Sequence, residues 1–492
     1  MKVFKALATD SLVYGASNFL NKIVGFLLLP LYTSYLSPYD YGIVAMLAYV
    51  QIFFLPLSSL GITNAIFRRF NLLADENEQN KVLSTGVFGV IISALFFFLL
   101  AFYFQRPLTV FLIDDVSLVF LMQLSLYTAL FRAVSSIFLV VLRAERQVLK
   151  IGILKIVELI ISLCLTILFV VYFDKGVVGV IVGNLGGAIF SFLMTVGFCY
   201  TKIRLSFSLS EVKELLSYGL PYLPHRMLSY GSAFFGHYLI KIHVGLEASG
   251  LFDIALKFAI PLTFIVGSVQ SAWVPLKFQI HREEENPSLV FRSVISNYLA
   301  FVLGLYILLS LIGPEFVRVF TTKPFHEAAY YLPIVLLIPL SRSVYFMLAT
   351  GFEFDNNSKP LPLISAVGLM SLLIVSLPLM SVFGSYGAIF GIVASWGVMA
   401  TIIRLYAIKR FYVPLNINSL KFFIICTLVV CFASYSVQGI EAFYTRLLAI
   451  SSILFFGFVV FRAIIKLYFN IETSYLAQLP LYAKIIRVFN IK

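Results

Sequence analysis

Long stretches with almost no charge recur from one end of this chain to the other, and nothing constrains its fold more. A run of about 20 apolar residues is enough to cross a bilayer as a helix, and in hydrocarbon only structures that satisfy their own backbone hydrogen bonds persist. With 61% hydrophobic and 12% charged residues and a mean hydropathy of +0.98, the 492-residue chain has too little polar surface to dissolve as a domain of its size. Most soluble-enzyme readings fall on that ground. The excess of 36 Lys and Arg over 23 Asp and Glu would suggest nucleic acid in a soluble protein, but here it is first a matter of membrane orientation. No nucleic-acid partner is expected.

The apolar runs read as spans at 11–36, 41–66, 83–104, 116–142, 151–173 and 176–199, then, after a polar linker, at 219–245, 248–276, 294–313, 328–350, 361–382 and 385–408, with a last pair at 420–437 and 444–466. In the linker, Ser208 and Glu211 have capping-box spacing and predict a short helix ending near Gly219. The pattern predicts an all-α polytopic membrane protein of about 14 transmembrane helices. Its divisions are an N-terminal six-helix lobe at 1–200, a cytoplasmic linker helix at 201–218, a second six-helix lobe at 219–410, and an extra helix pair with an interfacial tail at 411–492. The first apolar run holds Asn18, Asn21 and Lys22, which suits a span rather than a cleavable signal. With the N-terminus inside, only Arg106, Lys175, Arg318, Lys323 and Arg446 among the cations of tails and loops fall on the outer side, so an N-terminus in the cytoplasm is expected.

The chain also resembles itself at an offset near 210 residues. Leu130-Phe131-Arg132-Ala133-Val134 aligns with Leu340-Ser341-Arg342-Ser343-Val344, the turn ending at Gly42 aligns with Leu246 to Gly250, and Lys175-Gly176 aligns with Tyr386-Gly387. Two parallel repeats around a central cleft, a transporter body, are expected.

Seven cations fall inside spans, Lys22, Arg132, Lys155, Arg226, Lys241, Lys257 and Arg342, against the acids Glu158 and Asp253. A charge in hydrocarbon costs about 3 kcal/mol by insertion scales, so the surplus must face water or an anion. An anionic ligand is implied. Arg226, Tyr230, His237 and Lys241 share one face of a helix, as do Ser11, Tyr14, Asn18, Asn21 and Lys22, and Ser125, Thr128, Arg132, Ser135 and Ser136. The candidate cationic cleft is therefore Lys22, Arg132, Arg226, Lys257 and Arg342, with Asn18, Asn21, Tyr230 and His237 beside them. Glu158 and Asp253 are candidates for ion coupling, although Lys155 and Lys257 at helical spacing make plain ion pairs the simpler reading. Ser/Gly stripes equally serve close helix packing. Lys241 and His243, near a span end, are expected to snorkel.

Cys164, Cys199, Cys426 and Cys431 have no disulfide or metal spacing, and no Walker loop, His-Glu-x-x-His or Gly-x-Ser-x-Gly sequence occurs. No cofactor and no catalytic residue is expected. The short outer connections disfavour a membrane polymerase, which needs room there for a sugar site.

The run Tyr14 to Phe26, its continuation Leu29-Pro30-Leu31-Tyr32 and Leu36-Ser37-Pro38-Tyr39-Asp40-Tyr41-Gly42, the segment Ser217-Tyr218-Gly219-Leu220-Pro221, and Tyr386-Gly387-Ala388 together resemble the Wzx-type flippases of polysaccharide repeat units (O-antigen or capsule). These belong to the multidrug/oligosaccharidyl-lipid/polysaccharide exporter superfamily. The resemblance covers about residues 7–410. It implies transfer of an undecaprenyl-pyrophosphate-linked oligosaccharide from the cytoplasmic to the periplasmic leaflet of a bacterial inner membrane. Membrane lipids, a polysaccharide polymerase and a chain-length regulator are its expected partners. The alternatives within the superfamily are a peptidoglycan-precursor lipid flippase and a cation-coupled small-molecule exporter.

Overall fold

The structure, a computed structural model, describes residues 26 and 28–453 apart from 74, 146, 201–205, 353, 355–359, 410, 414–416, 441–444, 447, 448 and 452. By its internal contacts the chain forms two compact units, Met1–Asp253 and Ile254–Lys492. The regular elements among the described residues are helices, without strands.

The first unit contains α1 (Leu29–Tyr35), α2 (Pro38–Ser59), α3 (Ile62–Leu72), α4 (Glu76–Tyr103), α5 (Gln105–Ile113), α6 (Val119–Ala144), α7 (Val148–Ile167), α8 (Gly176–Cys199), α9 (Leu209–Gly219), α10 (Tyr222–His243) and the start of α11 (Leu246–Phe258). Helix α2 begins where Ser37 and Asp40 cap each other: the Ser37 hydroxyl accepts the Asp40 N–H at 3.1 Å, and the Asp40 carboxylate accepts the Ser37 N–H at 2.9 Å. Helix α9, capped by Ser208 and ending at Gly219, is the short helix that the Ser208 and Glu211 spacing predicts, and it lies within the first unit. Only half of its box forms, because the Ser208 N–H donates to Thr85 Oγ1 at 3.2 Å instead of to Glu211. Along α4 the side chains of Ile92, Leu95, Phe96 and Leu99 are exposed, an apolar row suited to acyl chains.

The second unit contains the rest of α11, then α12 (Ile260–Glu283), α13 (Pro287–Phe320), α14 (Ala328–Val335), α15 (Leu337–Leu348), α16 (Pro360–Phe383), α17 (Ser385–Ile408) and α18 (Ile417–Gln438). Single residues, Ala259 before Pro261 and Leu336 between Pro333 and Pro339, separate α11 from α12 and α14 from α15. Both breaks fall inside runs that read as one span in the sequence.

The internal repeat is visible in how the helices pack. Helices α8 and α17 have 24 residues each and start at Gly176 and Ser385. A side chain at Gly183 would meet Thr166, and one at Gly391 would meet Ser376; Gly179 and Gly387 likewise lie against the backbones near Val170 and Met380. Thus α7 meets α8, and α16 meets α17, through small residues at matching positions, as membrane helices do when backbones approach closely.

Nine helical segments among the described residues are long and apolar enough to span, counting Lys323–Leu348 across the α14–α15 break as one, or ten if α11 and α12 form one broken span. The chain is a multi-pass membrane protein. The expected count of 14 is not reached among them; most of the first and last expected spans, 11–36 and 444–466, lies outside the described residues.

Candidate functional site

A cavity of about 610 Å³ opens in the first unit where α2, α3, α6, α9 and α10 converge. Among the described residues, its charged lining is Arg68, Arg143 and Arg226 and its polar lining Ser59, Thr63, Asn64, Ser136 and Tyr218, with no carboxylate in the lining.

The local sequence explains how these groups meet. The apolar run that reads as a single span over 41–66 breaks at Leu60 and Gly61, both in the left-handed region with φ 46° and 73°. After the break the chain is amphipathic: Ile62, Ala65 and Ile66 are buried, while Thr63, Asn64 and Arg68 face the cavity. Gly61 touches Gly219 at the end of α9, and a Cβ on either glycine would collide with the backbone of the other. This close approach sets Tyr218 beside α3, with the Arg68 guanidinium over the Tyr218 ring at 4.5 Å.

Neighbouring arginines on α3 have separate jobs. Arg69 points to the linker helix, 3.0 Å from Glu214 and 3.4 Å from Glu211, and fastens α3 to α9. Arg68, about 100° round the helix, is left to the cavity. From α6, Ser136, Leu139, Val140 and Arg143 form a stripe at helical spacing. From α10, Arg226 Nη2 donates to Asn64 Oδ1 at 3.2 Å. A guanidinium held by a neutral amide keeps its full charge and most of its donors for a ligand. Such a lining can hold a phosphate or carboxylate by forked, charge-assisted hydrogen bonds.

Of the residues singled out in the sequence, Arg226 lines this cavity. Arg132, one turn from Ser136 on α6, donates to Gln51 Oε1 at 2.6 Å, and its Nε lies 3.9 Å from Glu158. Glu158 also pairs with Lys155 at 2.7 Å, the intrahelical pair expected from their spacing. Tyr230 is exposed and is not among the lining residues. His237 is buried, its Nδ1 3.1 Å from the Ser249 hydroxyl and its Nε2 4.0 Å from Asp253. Lys257 and Arg342 belong to the second unit. Asn18, Asn21 and Lys22 lie outside the described residues.

Lys241 does not snorkel as its place near a helix end suggests. Its side chain is 1% exposed, with Nζ 2.6 Å from Asp114 and 3.1 Å from the carbonyl of Phe111. The short helix α5 ends at Asp114, whose left-handed conformation (φ 63°) presents its carboxylate to the lysine. A buried ammonium is stable when so paired and hydrogen-bonded.

Sequence reasoning misses Arg68, Arg143, Asn64 and Tyr218, because the two arginines look like loop charges. The available signal is Gly61 followed by a polar and apolar alternation of helical period, with Asn64 and Arg68 four residues apart.

A second cavity in the same unit, of about 470 Å³, is lined almost wholly by apolar groups, among them Phe53, Phe97, Leu108, Phe111 and Phe234.

Comparison with known proteins places this architecture. The family described as "Polysaccharide biosynthesis protein" matches residues 7–281. No curated protein matches the sequence. Among solved structures, the lipid II flippase MurJ in an inward closed conformation is similar at a TM-score of 0.69 and 15% identity, over 92% of this chain and 100% of that one. An inward-facing multidrug resistance MATE family transporter of the MOP superfamily is similar at 0.64 and 16% identity, over 80% and 94%. The MATE transporter VcmN of Vibrio cholerae, in its bent form, follows at 0.56 and 14%, over 86% and 98%. At these identities the likeness is one of fold. The family match spans more than half of the sequence, and the chain belongs to the polysaccharide biosynthesis protein family.

Proposed function

We propose that the chain is a lipid-linked oligosaccharide flippase. It carries undecaprenyl-pyrophosphate-linked polysaccharide repeat units from the cytoplasmic to the periplasmic leaflet of a bacterial inner membrane by alternating access. The observation that carries this reading is the cavity lined by Arg68, Arg143 and Arg226, with no carboxylate lining it among the described residues, in the first unit beside α9. Arg68 and Arg226, with Arg143, receive the diphosphate; Asn64, Thr63, Ser59 and Ser136 offer hydrogen bonds to its remaining oxygens and to the first sugar. The lipid tail stays in the bilayer. Lys22, Lys257, Arg132 and Arg342 are the further cations proposed to meet the cargo, and Glu158 and Asp253 are the candidates for ion coupling. No covalent chemistry is needed, and no enzyme activity is proposed.

The distribution of Lys and Arg supports a cytoplasmic N-terminus and linker, which puts the cavity on the side where the substrate is made. A polysaccharide polymerase and a chain-length regulator are its partners on the far side. The likeness in fold to a lipid II flippase keeps a peptidoglycan-precursor substrate as the second reading, since both substrates carry a diphosphate.

The test is surface polysaccharide in cells whose only copy carries Arg68→Ala, Arg143→Ala or Arg226→Ala. Loss of polymer with normal membrane insertion is expected; unchanged polymer from all three variants refutes the proposal. Loss of viability with intact polymer supports the peptidoglycan reading instead.

A further inference from the structure

The internal repeat pairs Arg132 in the first unit with Arg342 in the second, and the two have different surroundings. Arg132 is engaged by Gln51 and lies near Glu158. At the offsets that match Gly42 with Gly250 and Thr166 with Ser376, the counterparts of Gln51 and Glu158 are Ala259 and Gly368. Both of the first arginine's partners are therefore missing from the second half. Among the described residues no carboxylate comes within ion-pair distance of Arg342, which is exposed on α15.

What stands beside Arg342 is aromatic. Its guanidinium lies over the Trp396 ring of α17 at 5.8 Å, and Trp396 meets Tyr345, one turn along α15, at 5.5 Å between centroids and 59° between planes. Trp396 and Tyr345 rest on a buried cluster of Leu348, Met399, Ala400 and Ile403, which fixes both rings from behind. Each ring remains partly accessible. The offset that matches Gly183 with Gly391 puts Ala188 at the place of Trp396, so the second half replaces an ion pair and an alanine with an open arginine and an indole.

An exposed guanidinium within a spanning helix, with no acid beside it, is too costly against acyl chains; the face of α15 and α17 that carries it is a wetted one. Two aromatic planes set at an angle, with the five N–H donors of a guanidinium over one of them, offer the apolar C–H face of a pyranose a flat surface and its hydroxyl or carboxylate oxygens fixed donors. We propose that Trp396, Tyr345 and Arg342 form a sugar-binding subsite that holds a pyranose ring of the cargo. The inference rests on the flippase reading and assigns to the second unit recognition of the glycan, apart from the diphosphate held in the first.

The test uses the full chain in lipid nanodiscs and two probes, a polyprenyl diphosphate and the same lipid carrying a single galactopyranose. The wild type is expected to bind the glycolipid about fivefold more tightly, the ratio that a stacking contact supplies. Trp396→Ala should abolish that preference while leaving affinity for the bare lipid unchanged, which also shows that the variant is folded, and Arg342→Ala, which removes a cation proposed to meet the cargo, should weaken binding of the glycolipid more than binding of the bare lipid. Trp396→Phe should retain part of it. An equal loss on both probes, or an unchanged preference in Trp396→Ala, overturns the subsite. Wild-type binding of both probes with equal affinity overturns it too, yet leaves the flippase reading standing. Binding of neither probe by the wild type overturns both.

Discussion

Replacing Arg226 by alanine separates a specific anion site from a general excess of positive charge. The side chain donates to Asn64 from one nitrogen and lines the cavity. A charge-assisted hydrogen bond lost from a partly desolvated site costs about 1.5–3 kcal/mol, so diphosphate lipid affinity should fall by roughly 10- to 100-fold. Arg69→Ala is the control, because it removes the same charge from the residue after Arg68 while its guanidinium is already committed to Glu211 and Glu214. With its charge paired to those acids and its side chain outside the cavity lining, and with salt screening beyond about 8 Å, its effect on affinity should be below about threefold. Titration of a polyprenyl diphosphate into each purified full-length variant in nanodiscs measures the difference. Equal losses for Arg69→Ala and Arg226→Ala would mean that overall charge, not the arrangement around the cavity, attracts the lipid, and would rule out a specific anion site there.

Asp114→Asn should lower thermal stability by about 2 kcal/mol, because it leaves the buried ammonium of Lys241 without its counter-charge, and adding Lys241→Met should restore most of the loss; a melting series of the single and double variants checks this. Gly61→Ala places a side chain in the left-handed region and against the Gly219 backbone, so a loss of about 2–4 kcal/mol is expected together with weaker lipid binding. Stability unchanged by Gly61→Ala would contradict the close contact of α3 with α9. Ser37→Ala removes half of the capping box at α2 and should cost about 1 kcal/mol, read as a lower melting temperature with lipid affinity preserved.

Much of this architecture is legible without coordinates, and the places where it is not share a cause. Helices α8 and α17 start and stop within a residue of where Gly176 and Ser385 open their apolar runs, and the start of α9 follows from Ser208. Lys155 and Glu158 find each other because their contact is local, a matter of spacing on one helix. The cavity depends instead on a break within an apolar run. Hydropathy averages over Leu60 and Gly61, so Arg68 looks like a loop charge until the turn folds α3 against α9. Lys241 is the same lesson in reverse: distance along its own helix suggests the interface, whereas its partner Asp114 is supplied by the end of α5, far away in sequence. Local chemistry can be read from spacing; contacts made by a change of chain direction cannot.

Lipid transport itself is the decisive readout for the arginine-lined cavity. Full-length protein reconstituted into liposomes with a fluorescent polyprenyl-diphosphate glycolipid should move that lipid between leaflets, as followed by accessibility to a membrane-impermeant quencher. The Arg68→Ala/Arg143→Ala/Arg226→Ala variant should move it no faster than protein-free liposomes, while Arg69→Ala keeps the wild-type rate within a few fold. Transport by the triple variant at the wild-type rate would show that these arginines do not carry the lipid.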